Sequence, residues 1–359
     1  MKIQNIELSR LLRLGYTISK SNVAVQLYKN FGIDYTFPSI VHVKLTNECN
    51  SKCNICDVWR RKEKELPSAL WINALKQLKE INGSYKVDFT GGEVLLKDDV
   101  FEIFEFCNQA KIPFTITTNG FLLNSKNIIQ LLELQPMNIN ISLDSLENDI
   151  YQKIRGVALL DTVKSNIDDL MMYIQKNSLH TKVFFKTVVN NLNLTELDSI
   201  ANYAMEKKVA GITFDPIRRR RKVFLEEKID EFEIMYNIDT GTLQNAKKRL
   251  IELKKVNNKI INSENNINQW FVECNTGKKY FCDAPLFRLN ITNEGQIKLC
   301  DFTESYIGNI ANDDILLILK SNEIRTEKKK LTDCKRPCVF CIHRNLFDYI
   351  RILDSFIRT

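Results

Sequence analysis

Between residues 39 and 216 the chain alternates between two hydrophobic rhythms. SIVHVKLT (39–46), YKVDFT (85–90), PFTITT (113–118), MNINISLD (137–144), TKVFFKTVV (181–189) and GITFDP (211–216) are short, β-branched or aromatic runs, which read as strands. The stretches between them place apolar residues three and four apart, the helical period. SALWINALKQLKEI (68–81) puts Leu70, Ala74, Leu75 and Leu78 on one face. DDVFEIFEFCNQA, SKNIIQLLEL, LLDTVKSNIDDLMMYIQKN and LTELDSIANYAMEKK follow the same rule. Strands alternating with helices imply right-handed βαβ units and a parallel sheet. Six units are too few to close an eight-stranded barrel. The expected fold is therefore α/β, a partial (β/α)6 barrel, open and TIM-like, with ligands gathering at the carboxyl ends of its strands.

The flanks differ. Residues 1–38 carry an amphipathic pattern (Ile6, Leu8, Leu11, Leu12, then Val23, Val25, Leu27) that reads as two short helices, an N-terminal extension capping the rest. The barrel is assigned to 39–220 and a helical connector to 221–270, which includes the lysine-rich AKKRLIELKKVNNK (246–259). Residues 271–359 turn to short strands and cysteines, the mark of a small metal-stapled C-terminal domain.

Composition narrows the class. The 359 residues, 44% of them hydrophobic, suffice for a sizeable core. A net charge of +7 permits an anionic substrate without requiring nucleic acid. The opening MKIQNIELSR lacks the apolar core of a signal peptide. ILLIL at 315–319 falls well short of the roughly 18 apolar residues of a membrane span. A cytoplasmic protein with no membrane partner is expected. Ten cysteines in a reducing compartment argue against disulfides, and their clustering argues for metal. Cys107, inside an apolar helical pattern, reads as a core residue.

Three of the thiols, Cys49, Cys53 and Cys56, fall within eight residues directly after the first strand. A structural zinc site wants four ligands. Three thiolates suit a cubane iron–sulfur cluster with one iron left open. A zinc-binding structural protein remains the alternative from another class. The stretch LTNECNSKCNIC resembles the CxxxCxxC signature of radical S-adenosylmethionine enzymes. TGGEV (90–94) resembles the family's GGEP motif, with Gly91, Gly92 and Glu93 near the methionyl amino group. TTNG (117–120) and SLD (142–144) resemble its polar strand ends, offering Asn119, Ser142 and Asp144, and Arg155 in KIRG falls where members carry an arginine near the methionyl carboxylate. The resemblance covers roughly residues 39–220. Ile55 and Val94 depart from it, standing where an aromatic residue and the proline are usual.

The resemblance implies a 4Fe–4S cluster on Cys49, Cys53 and Cys56 whose open iron binds S-adenosylmethionine. It also implies an electron donor such as flavodoxin or ferredoxin, reductive cleavage to a 5′-deoxyadenosyl radical, and hydrogen-atom abstraction from substrate. Cys282, twelve residues, Gly295, four residues, Cys300 resembles the opening of the SPASM and twitch auxiliary modules. A second 4Fe–4S cluster on Cys282, Cys300, Cys338 and Cys341 is the implied arrangement, with Cys334 able to replace one ligand. A structural zinc ribbon is the rival. CDAPLFRLNITNEGQIKLC itself reads as a β-hairpin turning at NEG. The expected substrate is a small molecule of sugar or aminocyclitol type, oxidised or epimerised, with Cys274 or Cys334 as the thiol that returns a hydrogen atom. Peptide modification is the alternative. Arg218 to Arg221, in IRRRRKVF after the sixth strand, would steer an anionic substrate.

Overall fold

The computed structural model describes residues 2–217, 234–268, 270 and 281–334. Arg218 to Arg221, Cys274, Cys338 and Cys341 lie outside the described residues. All six anticipated strands are present: β1 (Ile40–Lys44), β2 (Lys86–Thr90), β3 (Phe114–Thr118), β4 (Asn138–Ser142), β5 (Lys182–Val189) and β6 (Gly211–Pro216). They form an open parallel sheet in sequential order. The α/β partial barrel expected from the hydrophobic rhythm is thus the observed fold.

Each strand sends alternate residues to opposite faces. Val41, Val43 and Leu45 are fully buried in the core cluster, while Ile40, His42 and Lys44 line an internal cavity. Helices α2 (Ser68–Asn82), α3 (Val100–Gln109), α4 (Ser125–Glu133), α6 (Leu160–Lys176) and α7 (Leu197–Glu206) alternate with the strands. The buried stripe of α2 is Trp71, Ala74, Leu75 and Leu78, so Trp71 takes the place expected for the half-buried Leu70. Cys107 is fully buried among these apolar side chains, as its setting implied. Helix α5 (Asn148–Arg155), which the periodicity did not reveal, follows β4.

The N-terminal extension is one helix, α1 (Lys2–Phe31), rather than two. It contains no proline to break it, and Gly15 is tolerated within it. Its Leu14 and Ile18 pack with Met137, just before β4, and line the cavity at the amino-terminal end of the strands. The extension therefore floors the barrel.

The hairpin expected between Cys282 and Cys300 is present as β7 (Arg288–Ile291) and β8 (Gln296–Lys298), turning at Thr292–Gly295. Gly295 adopts φ 82°, where an L side chain is strained. The hairpin continues the barrel's own sheet, with β7 parallel to β1 and Ile40 opposite Arg288. A two-residue β9 (Gly308–Asn309) ends the sheet. Among the described residues no helix is long and apolar enough to cross a membrane.

Candidate active site

The cysteine loop leaves the carboxyl end of β1 and is clamped from both sides. On one side lie the two glycines after β2. A Cβ on Gly92 would sit 2.0 Å from the Glu48 carbonyl oxygen, and one on Gly91 2.3 Å from that of Thr46. That proximity lets the Gly92 N–H donate to Thr46 O and the Glu93 N–H to Glu48 O, both at 2.7 Å. The glycines therefore admit the loop's backbone. On the other side the carboxyl end of α5 offers carbonyls that a helix leaves without intrahelical partners. The Asn54 N–H donates to Ile154 O (3.0 Å), Asn54 Nδ2 to Lys153 O (2.9 Å) and Ser51 Oγ to Arg155 O (2.7 Å). Gly156, at φ 71°, ends that helix, and a Cβ there would come 2.3 Å from Lys52 O.

The polar strand ends lock to one another behind this loop. The fully buried Glu93 carboxylate accepts from Thr118 Oγ1 (2.8 Å), the Asn119 N–H (2.7 Å) and the Leu95 N–H (3.2 Å). Burial pushes its carboxyl up, while these donors and Arg155 pull it back. Glu93 thus braces β2 against β3. Asn119 Nδ2 donates to Asn50 Oδ1 (2.7 Å) and lies 3.9 Å from Cys49 Sγ. Asp144 is fully buried; it accepts from the Val188 N–H at 2.6 Å and pairs with Arg155 at 2.6 Å. Burial alone would lower the pKa of Arg155, but Asp144, Cys53 and Tyr151 together outweigh it and keep the guanidinium charged, 3.9 Å from Cys53 Sγ. Burial pushes the Cys49 thiol up to about 12, with Cys53, Glu93 and Cys56 adding to the shift. A metal cation reverses that preference, because a coordinating thiol gives up its proton. Three thiols on one braced loop, two of them beside N–H donors, are a donor set that fits an iron–sulfur cluster.

Cys49, Cys53, Cys56, Gly91, Gly92, Asn119, Ser142 and Arg155 line one cavity of about 970 Å³. That is the upper end of the range for small-molecule pockets, roughly 300–1,000 Å³. Of the described thiols in the second cysteine group, its wall takes Cys300 but neither Cys282 nor Cys334. The Cys282 N–H instead donates to Thr332 O (3.1 Å), which brings Cys282 close in space to the Cys334 segment. Sequence reasoning missed the cavity's inner wall: His42, Asp88, Asn138, Asn140 and Asn290 all line it. The signal was present. Buried parallel strands normally read as continuous apolar runs, whereas HVK, KVD and NIN place a polar residue at every second position.

Residues 43–204, from β1 to α7, match the family model for the Radical SAM superfamily. An uncharacterized protein of Methanocaldococcus jannaschii is 33% identical over 205 residues, 54% of this chain and 69% of that one. The chain belongs to the radical SAM superfamily. Another relative of this radical SAM protein, a probable GTP 3′,8-cyclase of Thermococcus kodakarensis, is 25% identical over 323 residues, covering 82% of this chain and 96% of its own. Among solved structures, Streptococcus suis SuiB bound to S-adenosylmethionine matches with a TM-score of 0.66 at 17% identity, over 92% of this chain and 76% of that one. Native anSMEcpe, with S-adenosylmethionine and a peptide bound, matches at 0.62 and 17%, over 90% and 96%. At such identities the likeness is one of fold. Membership in the superfamily implies a 4Fe–4S cluster and S-adenosylmethionine.

Proposed function

We propose that Cys49, Cys53 and Cys56 hold the 4Fe–4S cluster, that the ends of β2, β3 and β4 hold S-adenosylmethionine, and that the substrate is a polar small molecule lying deeper in the barrel. The observation that carries this reading is the cavity itself. It has the braced cysteine loop at one end, a floor of Leu14, Ile18 and Met137 at the other, and a polar wall between. When bound, the cluster and cofactor supply an electron and a carbon-centred radical able to take a hydrogen atom from substrate. The chain's residues position and shield. Glu93 and the glycine pair fix the loop, and Arg155 with Asn119 places N–H groups beside the sulfurs. The apolar floor closes off one end of the reaction space from water.

A substrate of nucleotide type fits this wall, which carries carboxamides and charges of both signs. The name of the Thermococcus relative, which aligns along nearly all of its length, makes GTP the first probe. An electron donor such as flavodoxin or ferredoxin would supply the reductant. A second cluster would involve Cys282 and Cys300, whose candidate partners Cys338 and Cys341 lie outside the described residues. In the test, anaerobically reconstituted protein receives dithionite, S-adenosylmethionine and ribose-deuterated GTP. The expected result is 5′-deoxyadenosine carrying deuterium, lost in the Cys53→Ala variant. Unlabelled 5′-deoxyadenosine formed at a rate indifferent to GTP would reject the nucleotide assignment. Protein that binds no iron would reject the cluster assignment.

A further inference from the structure

The strand register places one polar layer across the inner face of the barrel, from the middle of β1 and β2 to the amino-terminal ends of β3 and β4. Asn290 lies opposite His42, His42 opposite Asp88, Asp88 opposite Thr115, and Thr115 opposite Asn138. Paired positions in a parallel sheet share a face, so these five form a continuous belt. Asn138 is 6% exposed and lines the cavity, yet its Oδ1 has no hydrogen-bond partner. His42 lines the cavity too; its Nδ1 lies 3.6 Å from Asp88 and its Nε2 is buried with no partner. Thr115 Oγ1, between them, is also unpartnered. A buried polar atom left without a partner costs about 1–3 kcal/mol, and folded proteins rarely leave three in one layer. Nothing in the clamping of the cysteine loop uses them.

We infer that this belt is a recognition site for an uncharged, hydrogen-bonding head group of nucleobase type, with Asn138 and His42 as its specificity determinants. The inference rests on the small-molecule reading above and deepens it. The belt's one carboxylate, Asp88, is already matched by Lys86 at 2.6 Å, so the layer does not call for an ionic head group. Burial pushes the His42 imidazole down to about 4, which leaves it neutral near pH 7 and able to present either a donor or an acceptor. A carboxamide offers both kinds of group, and planar amide and imidazole edges match the in-plane donors and acceptors of a heterocycle. A site built to pair with such groups rejects analogues that lack them, because its own buried atoms are then left unpaired.

The test uses reconstituted full-length protein with S-adenosylmethionine and no reductant. Binding of GTP, ITP and ATP is measured by calorimetry for the wild type, Asn138→Ala and His42→Gln, each checked for wild-type iron content. Asn138→Ala is expected to weaken binding of the preferred nucleotide at least tenfold and to compress its preference over the other two. In turnover the same loss should appear in KM rather than in kcat. Binding within twofold of wild type in both variants would overturn the belt assignment and leave the nucleotide reading standing. Wild-type protein that binds none of the three nucleotides would overturn both. Should Asn138→Ala fail to hold iron, Asn138→Asp decides in its place: a carboxylate there should invert or abolish the preference, and an unchanged preference refutes the belt.

Discussion

Replacing Gly92 by Ala tests whether the glycine pair exists to admit the cysteine loop. The backbone at Gly92 is not in the positive-φ region, so the effect is steric. The new Cβ would sit 2.0 Å from Glu48 O, 2.6 Å from Glu48 C and 2.9 Å from Asn47 C, all backbone atoms that cannot rotate away. The loop must retreat by roughly an ångström, and overpacking of this kind costs about 1–3 kcal/mol. Retreat also stretches the two 2.7 Å bonds, Gly92 N–H to Thr46 O and Glu93 N–H to Glu48 O, at about 1 kcal/mol each. The total of about 3–5 kcal/mol is a large part of a domain's usual stability of roughly 5–15 kcal/mol. The strain falls on the loop rather than on the sheet, so the expected variant keeps its far-UV circular dichroism and loses most of its reconstituted iron. Gly15→Ala is the control. It meets nothing within 4 Å on α1 and should stabilise by about 0.5–1 kcal/mol with full iron. A Gly92→Ala protein holding wild-type iron at wild-type stability would refute the steric argument.

Glu93→Gln puts an amide N–H₂ where one carboxylate oxygen accepts from the protein, so either the Asn119 N–H, or Thr118 Oγ1 and the Leu95 N–H together, loses its acceptor. Urea denaturation should show a loss of about 1–3 kcal/mol, and an unchanged midpoint would mean the brace is dispensable. For His42, burial is only partly offset by Asp88, while Arg288 and Lys86 push the same way and Asp301 opposes; the imidazole is held at about 4 against an ordinary 6.5. A depressed folded-state value means stability present above pH 6.5 and lost progressively as pH falls to 4. With the side chain 23% exposed, solvent screening limits the loss to about 1–2 kcal/mol. Chemical denaturation at pH 7, 5.5 and 4.5 should show that loss in the wild type and not in His42→Gln, and parallel pH curves would contradict it.

The sequence by itself determined the six strands, the helices between them and the order of the chemistry along them. Those features are local: a strand writes its period into its own residues, and TGGEV, TTNG and SLD must follow strands because the strands end there. The hairpin turning near Gly295 was legible for the same reason. The polar belt was half legible. Every second residue of HVK, KVD and NIN is polar, but only the strand register shows that His42, Asp88 and Asn138 share a layer. What the tertiary structure decided is what comes together from far apart in the chain. It turned Gly91, Gly92 and Gly156 toward the backbone of the cysteine loop, folded Glu93 into a brace between strands, laid β7 along β1 and set α1 beneath the barrel. A glycine records that something approaches closely, and a carboxylate that something donates to it. Neither records the identity of the neighbour, which is fixed when the sheet curves and distant backbone atoms meet.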